Sequence, residues 1–316
     1  MYSNNSTYSA QLTTLTEVVT DVIKQKFYSI KNIPDFVDID KGRGGMADNV
    51  MQWAVYDSAG AFETGNIGSN ADFERKASVD ILINDVTFYR QQWAKSITYS
   101  LMDLKQSNFA NVINMVEQKE EARKRNWDLG IQKTIFLGSD DNPNITGLLN
   151  NPNVTVDTTS IAISLTSMTD SQFNTFISTV ANAFQNNSGN YSIFNTFVLP
   201  TNDYNGLSTQ MSPTYPLKTK LQVLQEAFDG IVRGYGENGV KILPVAYCNA
   251  SQNPSGLNRY ALYRKDIDVL RYDLPLDYTV SAFDTYNNFS FANVGYGMYG
   301  STNILRPQEV MYFTRV

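Results

Sequence analysis

Between Val50 and about Arg90 the apolar residues adopt a spacing of two. Trp53 and Val55 lie before, and Val79, Ile81 and Ile83 after, a polar stretch from Gly60 to Asp72 that contains Gly65 and Gly68. Alternation at every second position marks strands with one covered face, and the glycines mark the tip that joins two such arms. Arms of about 15 to 20 residues at roughly 3.3 Å per residue would extend on the order of 50 to 65 Å, well beyond an ordinary strand. A two-stranded ribbon of that length has no second layer on which to bury its apolar face, so it must lie on something else. Trp53, Phe62, Phe73, Phe88 and Trp93 supply aromatic surface for that contact, either with a neighbouring chain or, if the hairpin folds back, with its own domain.

The segments on either side read as helix first, then mixed helix and strand. Thr14-Leu15-Thr16-Glu17 has the form of a capping box, and Leu15, Val18, Val19, Val22, Ile23, Phe27 and Ile30 follow at helical spacing. Pro34 to Asp40 reads as extended, and Gly42, Gly44 and Gly45 as a joint. The longest helical pattern runs from Phe109 to Leu137, with Met115, Ala122, Leu129 and Phe136 every seventh residue and Gly138 as the stop. Glu120 with Lys124 and Glu121 with Arg125 form i,i+4 pairs on its outer face. Lys119, Asn126 and Lys133 on the alternate heptad positions argue against a coiled coil.

Beyond a turn at Asp140-Asp141-Asn142-Pro143-Asn144, Thr169-Asp170-Ser171-Gln172 caps a helix with Phe173, Phe176, Ile177, Val180 and Phe184 on one face. Ile193 to Leu199 reads as a buried strand stopped by Pro200. Leu217, Leu221, Leu224 and Phe228 read as a short helix closed by Gly230. Strands follow at Lys241 to Tyr247 and Tyr260 to Arg264, and Tyr278 to Phe313 is mostly strand-like. The expected core rests on Met115, Leu129, Phe136, Phe173, Phe184, Phe197 and Leu221. The fold class is α+β, with neither an internal repeat nor a long linker.

Several chemistries are excluded by residue type. Histidine is absent, which removes His-containing triads, His-ligated zinc and His acid–base work. The single cysteine, Cys248, allows no internal disulfide and no Cys-based metal cluster. A net charge of -6 provides no general positive field for a phosphate backbone. No apolar run is long enough to cross a membrane, and the N-terminus lacks the pattern of a secretory signal.

Gly234 to Gly239 and Gly295 to Gly300 match the dinucleotide fingerprint as text, but no helix follows either, so turn glycines are the expected meaning. There is no Gly-Lys pair for a phosphate loop. Asp35, Asp38 and Asp40 lack the spacing of a calcium loop and read as a solvated turn. Asp140 and Asp141 are carboxylates without a cleft to place them in. No cofactor, metal or catalytic residue is expected.

Three segments carry a resemblance: Gly147-Leu148-Leu149-Asn150 with Pro152-Asn153-Val154 after the long helix, Phe197-Val198-Leu199-Pro200 with Tyr204 and Leu207, and Ile304-Leu305-Arg306-Pro307 with Val310 and Tyr312. Together with the order of elements, they resemble major capsid proteins of the Hong Kong 97 type fold, shared by tailed phages and encapsulins. The resemblance implies an N-terminal arm at 1–43, an extended β-hairpin (the E-loop) at 44–99, and a peripheral domain with a spine helix at 100–153. An axial α/β domain at 154–284 and returning C-terminal strands at 285–316 complete it.

It implies a structural subunit that assembles with copies of itself into hexamers and pentamers of an icosahedral or prolate head. That head would enclose double-stranded DNA without sequence-specific binding, be assembled in the host cytoplasm, and end as part of the virion. A separate scaffolding protein, a portal and decoration proteins are its expected partners, with no membrane. No N-terminal scaffolding domain is expected to be removed by proteolysis. Intersubunit contacts are expected at Trp53, Phe62, Phe73, Glu74, Arg75 and Lys76, and a solvated spine-helix surface at Glu117, Glu120, Glu121, Arg123, Lys124 and Arg125. An encapsulin shell enclosing a cargo enzyme shares the fold and is the alternative, and a carboxylate-based hydrolase is a distant one.

Overall fold

Local rules set the helices. The computed structural model describes residues 26–42, 47, 49–58, 80–102, 115–215, 217–287 and 289–315. Helix α1 spans Met115–Leu137, α2 Asp170–Asn187, α3 Thr201–Thr209 and α4 Lys220–Arg233. Thr169 and Gln172 form the expected reciprocal capping box on α2, and Thr219 with Gln222 forms a second one on α4. That second box starts α4 at Lys220, so Leu217 lies outside the helix on which its spacing had placed it. Gly230 does not close α4, which runs on to Arg233 with Gly234 as its C-cap. At the other end of the chain, residues 26–30 carry no regular structure, and most of the expected N-terminal helix lies outside the described residues.

Thirteen described strands form three sheets. The first joins β1 (Asp38–Lys41), β8 (Leu270–Leu274) and β12 (Thr302–Ile304), with β8 central, parallel to β1 and antiparallel to β12. Pro34, expected in an extended run, lies in a short 3-10 turn, Ile33–Asp35, just before β1. The second sheet has the order β10-β11-β3-β2, from Asp284–Asn287, Ser290–Gly300, Asp80–Ser100 and Asn49–Ser58; β9 (Leu276–Val280) also pairs with β11. β2 and β3 run antiparallel from Asn49 opposite Tyr89 to Ser58 opposite Asp80. The tip between them, 59–79, lies outside the described residues.

The third sheet has the order β4-β13-β7-β5-β6, from Thr155–Asp157, Val310–Arg315, Asn258–Tyr263, Thr196–Pro200 and Lys241–Val245. All five residues of β5 are buried, as a central strand requires. Phe197 and Leu199 of β5 join Phe173, Phe176, Ile177, Val180 and Phe184 of α2, Leu224, Phe228 and Val232 of α4, and Tyr260, Leu262, Met311 and Phe313 in one apolar cluster. Leu221 packs on it only partly buried. Edge-to-face ring pairs link Phe184, Phe194, Phe228 and Phe197 in series, the geometry that the ring quadrupoles favour.

The contacts divide the chain into two units. One draws its described residues from 26–30, 94–128 and 280–296; the other takes the rest and holds the aromatic core. β3 and α1 each run through both.

Candidate functional site

Four of the carboxylates singled out in the sequence are engaged in structural pairs. Asp35 faces Lys241 at 2.9 Å, Asp38 faces Lys265 at 2.9 Å, and Asp40 faces Arg271 at 3.5 Å. The Lys241 ammonium, by hydrogen bond and charge, holds the Asp35 carboxyl below its usual range. Asp140 pairs with Lys133 on the open surface. Among the described residues no group of three acidic or thiol side chains could hold a metal ion, and no helix is long and apolar enough to cross a membrane.

Cys248 is buried, and burial pushes its thiol pKa up, away from the thiolate form. Gly236 and Gly239 do occupy turns with positive φ. The second glycine repeat differs: Gly295 to Gly300 lies inside β11, where Gly300 makes room for a side chain. A Cβ there would stand 2.8 Å from Asp273 Oδ2.

The arrangement is therefore one of positioned elements, and two of its junctions are built from the motifs that stood out in the sequence. At the first, the loop after α1 doubles back onto the helix end. Gly138, at φ +82°, ends the helix, and its N–H donates to Thr134 O at 2.9 Å. Leu148 N–H donates to Ile135 O at 2.8 Å, Leu149 N–H to Phe136 O at 2.9 Å, and Asn150 Nδ2 to Leu137 O at 3.3 Å. All four carbonyls that an α-helix leaves without internal partners are thus satisfied by Gly138 and the Gly-Leu-Leu-Asn segment. Gly147 is required by space, since a Cβ there would stand 2.4 Å from Gly138 N.

The third resemblance segment meets the first at this point. Tyr312 of β13 donates its hydroxyl to Leu148 O, Asn151 N–H donates to the same hydroxyl at 3.4 Å, and Arg259 Nη1 donates to Leu149 O at 2.6 Å. Burial raises the Tyr312 pKa, which keeps its hydroxyl protonated as a donor. The Arg259 guanidinium also lies over the Tyr312 ring, 5.4 Å from its centroid. Two motifs some 160 residues apart in sequence thereby lock the helix end to the third sheet.

The second junction holds the base of the β2–β3 hairpin. One residue beyond the last β2–β3 pair, Arg90 reaches Asp273 of β8 with Nε to Oδ2 at 2.6 Å and Nη2 to Oδ1 at 3.0 Å. Its Nη1 donates to Ala47 O at 3.3 Å. Both charged side chains are buried. Sequence reading passed over this pair. Its one local signal is that Arg90 shares the inward face of an alternating strand with Phe88, where an apolar residue would be the default.

The expected helix surface divides. Glu117 and Lys124 are exposed, and Glu120, Glu121 and Arg125 are half-buried. Arg123, expected on that surface, is 3% exposed. It donates to Asn293 Oδ1 at 3.0 Å and to the carbonyls of Asn293 and Lys95 at 3.2 and 3.3 Å. Glu120 pairs with Arg123 at 3.4 Å and accepts from Asn293 Nδ2 at 2.7 Å.

The heptad reading fails for the same reason. Ala122 is exposed and Leu129 half-buried, while Arg123, Trp127, Gln132, Thr134, Ile135 and Phe136 are buried. A straight helix keeps a 3.6-residue period, and its inner face here is partly polar because it meets strand carbonyls. Of the expected contact residues, Trp53 lies in β2; Phe62, Phe73, Glu74, Arg75 and Lys76 lie outside the described residues.

A family model described as "Major capsid protein" matches residues 67–316. No curated protein matches the chain. Among solved structures, the capsid of Myoviridae phage XM1 is similar at a TM-score of 0.76 and 16% identity, covering 96% of this chain and 98% of that one. A chain of Gordonia phage Cozz gives a TM-score of 0.61 at 12% identity, covering 97% and 93% of the two chains. A capsid of a native GTA particle gives 0.62 at 10%, covering 99% and 100%. At identities this low, the TM-scores show a shared fold.

Proposed function

The chain belongs to the major capsid protein family, and on that premise we propose that it builds a closed phage head from hexamers and pentamers of itself. Membership makes it a structural subunit of a phage capsid and a component of the virion, not an enzyme. Its mixed helix and strand architecture matches phage capsid structures and agrees with the Hong Kong 97 type. In our reading the segments 1–43, 44–99, 100–153, 154–284 and 285–316 serve as arm, E-loop, peripheral domain, axial domain and returning strands. The head encloses double-stranded DNA and is assembled in the host cytoplasm with a separate scaffolding protein, a portal and decoration proteins.

One observation carries the assembly reading. β3 is 21 residues long, on the order of 70 Å of extended chain, several times an ordinary strand. Its partner β2 is an edge strand of that sheet among the described residues, and the hairpin base is clamped by a buried ion pair. An edge strand of ten residues left open is a liability unless neighbouring chains cover it. In our reading Trp53, Phe62, Phe73, Glu74, Arg75 and Lys76 make those contacts, and Glu117, Glu120, Glu121, Lys124 and Arg125 form a solvated charged face of α1.

Negative-stain microscopy and sedimentation of the purified chain, alone and with its scaffold, test this reading. Shells, tubes or rings of five and six subunits are expected. A species that stays monomeric at high concentration across several salts would count against it.

A further inference from the structure

A groove of about 340 Å³ runs between β3 and α1, wholly within the unit that contains residues 94–128. Lys95 of β3 and Lys119 and Arg123 of α1 line it, together with the hydroxyl residues Ser96 and Thr98, and no acidic side chain does. Lys95 is exposed and Lys119 half-buried. Lys119 Nζ donates to Thr98 O at 3.1 Å, which holds its ammonium at the strand, and among the described residues neither lysine has a carboxylate partner. Arg123, 3% exposed, is fixed in the wall by Asn293 and the Lys95 carbonyl. Glu120 offsets its charge from the side of Asn293. Glu117 and Glu121, two positions either side of Lys119, fall on the far side of the helix. The local balance is therefore two positive charges in a chain whose net charge is -6. A cleft lined by one sign of charge concentrates its field on whatever enters it.

We propose that this groove binds the phosphodiester backbone of the enclosed DNA, so that this face of β3 and α1 lines the interior of the shell. The inference rests on the capsid reading and adds to it the surface that meets the duplex.

The lining selects phosphate over an acidic protein segment. Ammonium groups and hydroxyls are the donors that phosphate oxygens take up, and such contacts carry no sequence information. A protein partner would need pockets for apolar or aromatic anchors. Here the apolar lining is the buried Ile97 and the small Ala122. Concentration decides whether so small a site is filled. Two or three phosphate contacts bind weakly at physiological salt, but a duplex carries one charge per roughly 1.7 Å of axis and, inside a closed head, lies permanently beside every subunit.

Fluorescence anisotropy of a labelled short duplex, titrated with unassembled full-length subunits at low salt, tests this. Binding should weaken with a slope of about -2 to -3 in log affinity against log salt. Lys95→Gln with Lys119→Gln should lower affinity at least tenfold and make the slope shallower by about 1 to 2. Lys95→Gln alone, at an exposed side chain, should keep the parent melting curve and make the slope shallower by about 1. Lys124→Gln with Arg125→Gln removes two cations outside the groove and should change affinity less than twofold. No binding by the parent, an unchanged slope in the groove variants, or an equal loss in the Lys124/Arg125 variant overturns the proposal. So does displacement of the duplex at matched ionic strength by inorganic phosphate, or by a polyglutamate of equal charge that binds as tightly. A parent that never assembles removes the capsid reading and this site's occupant with it, whereas a parent that assembles while its groove variants bind DNA unchanged removes the groove alone.

Discussion

Replacing Arg90 by Met should destabilise the subunit by about 3–5 kcal/mol, the cost of leaving one member of a buried ion pair without its partner. The size follows from the setting. The Arg90 side chain is 0% and the Asp273 side chain 7% exposed, and two hydrogen bonds of 2.6 and 3.0 Å join them. Asp273 lies close against the Gly300 backbone position, so the space beside it is restricted. Water has little room to solvate the carboxylate left by Arg90→Met.

Asp273→Ala should cost a similar amount, by stranding the guanidinium. The double variant Arg90→Met/Asp273→Ala, which removes both charges, should recover at least half of either loss, because a buried pair replaced whole is often close to neutral. Urea titration of unassembled subunits, followed by tryptophan fluorescence, reads this out. With a slope of about 3 kcal/mol per molar, each single variant should lower the midpoint by roughly 1 to 1.7 M. Single variants that lose less than about 1 kcal/mol, or a double variant that loses the sum of the two, would refute the reasoning.

Four further outcomes are expected. Gly147→Ala should cost about 1 to 3 kcal/mol in the same titration, since its Cβ would press on the backbone of Phe136, Leu137 and Gly138. Tyr312→Phe should cost about 1 to 3 kcal/mol by leaving Leu148 O and Asn151 N–H without their partner, and a neutral effect would show that water replaces the hydroxyl. The Thr214 hydroxyl beside Asp170 holds that carboxyl below its ordinary value, so its contribution to the loop between α3 and α4 is complete above about pH 4 and is lost as pH falls through the folded pKa. Hydrogen exchange at the Thr214 amide should speed up on acidification in that range, and Asp170→Asn should abolish the pH dependence. Replacing Gly60 to Asp72 by a short Gly-Ser turn should leave subunit melting cooperative and remove particles from micrographs; normal shells would place the hairpin on its own domain.

What the sequence determined by itself was local. The capping box at Thr169 and Gln172 and the α2 stripe from Phe173 to Phe184 depend on residues a few positions apart. So does the stop at Gly138, and each of these was legible. The absence of histidine and the single cysteine closed off whole classes of chemistry without any geometry. The order of helix, hairpin and strands also carried the family resemblance.

Tertiary structure decided what depends on which surfaces meet. Arg123 and Lys124 are adjacent cations on one helix, and only the position of Asn293 and the Lys95 carbonyl makes the first a buried donor and leaves the second exposed. Leu217 continues the spacing of Leu221, Leu224 and Phe228, yet the cap at Thr219 leaves it outside the helix in a loop with almost full exposure. Gly295 to Gly300 has the composition of a turn but forms part of a strand, with Gly300 packed against Asp273. The Arg90–Asp273 clamp joins residues 183 positions apart, and no periodicity reports such a distance. Periodicity records which side of an element is covered, not by what; a polar inner face, a glycine needed for space and a buried ion pair are all consequences of the covering partner.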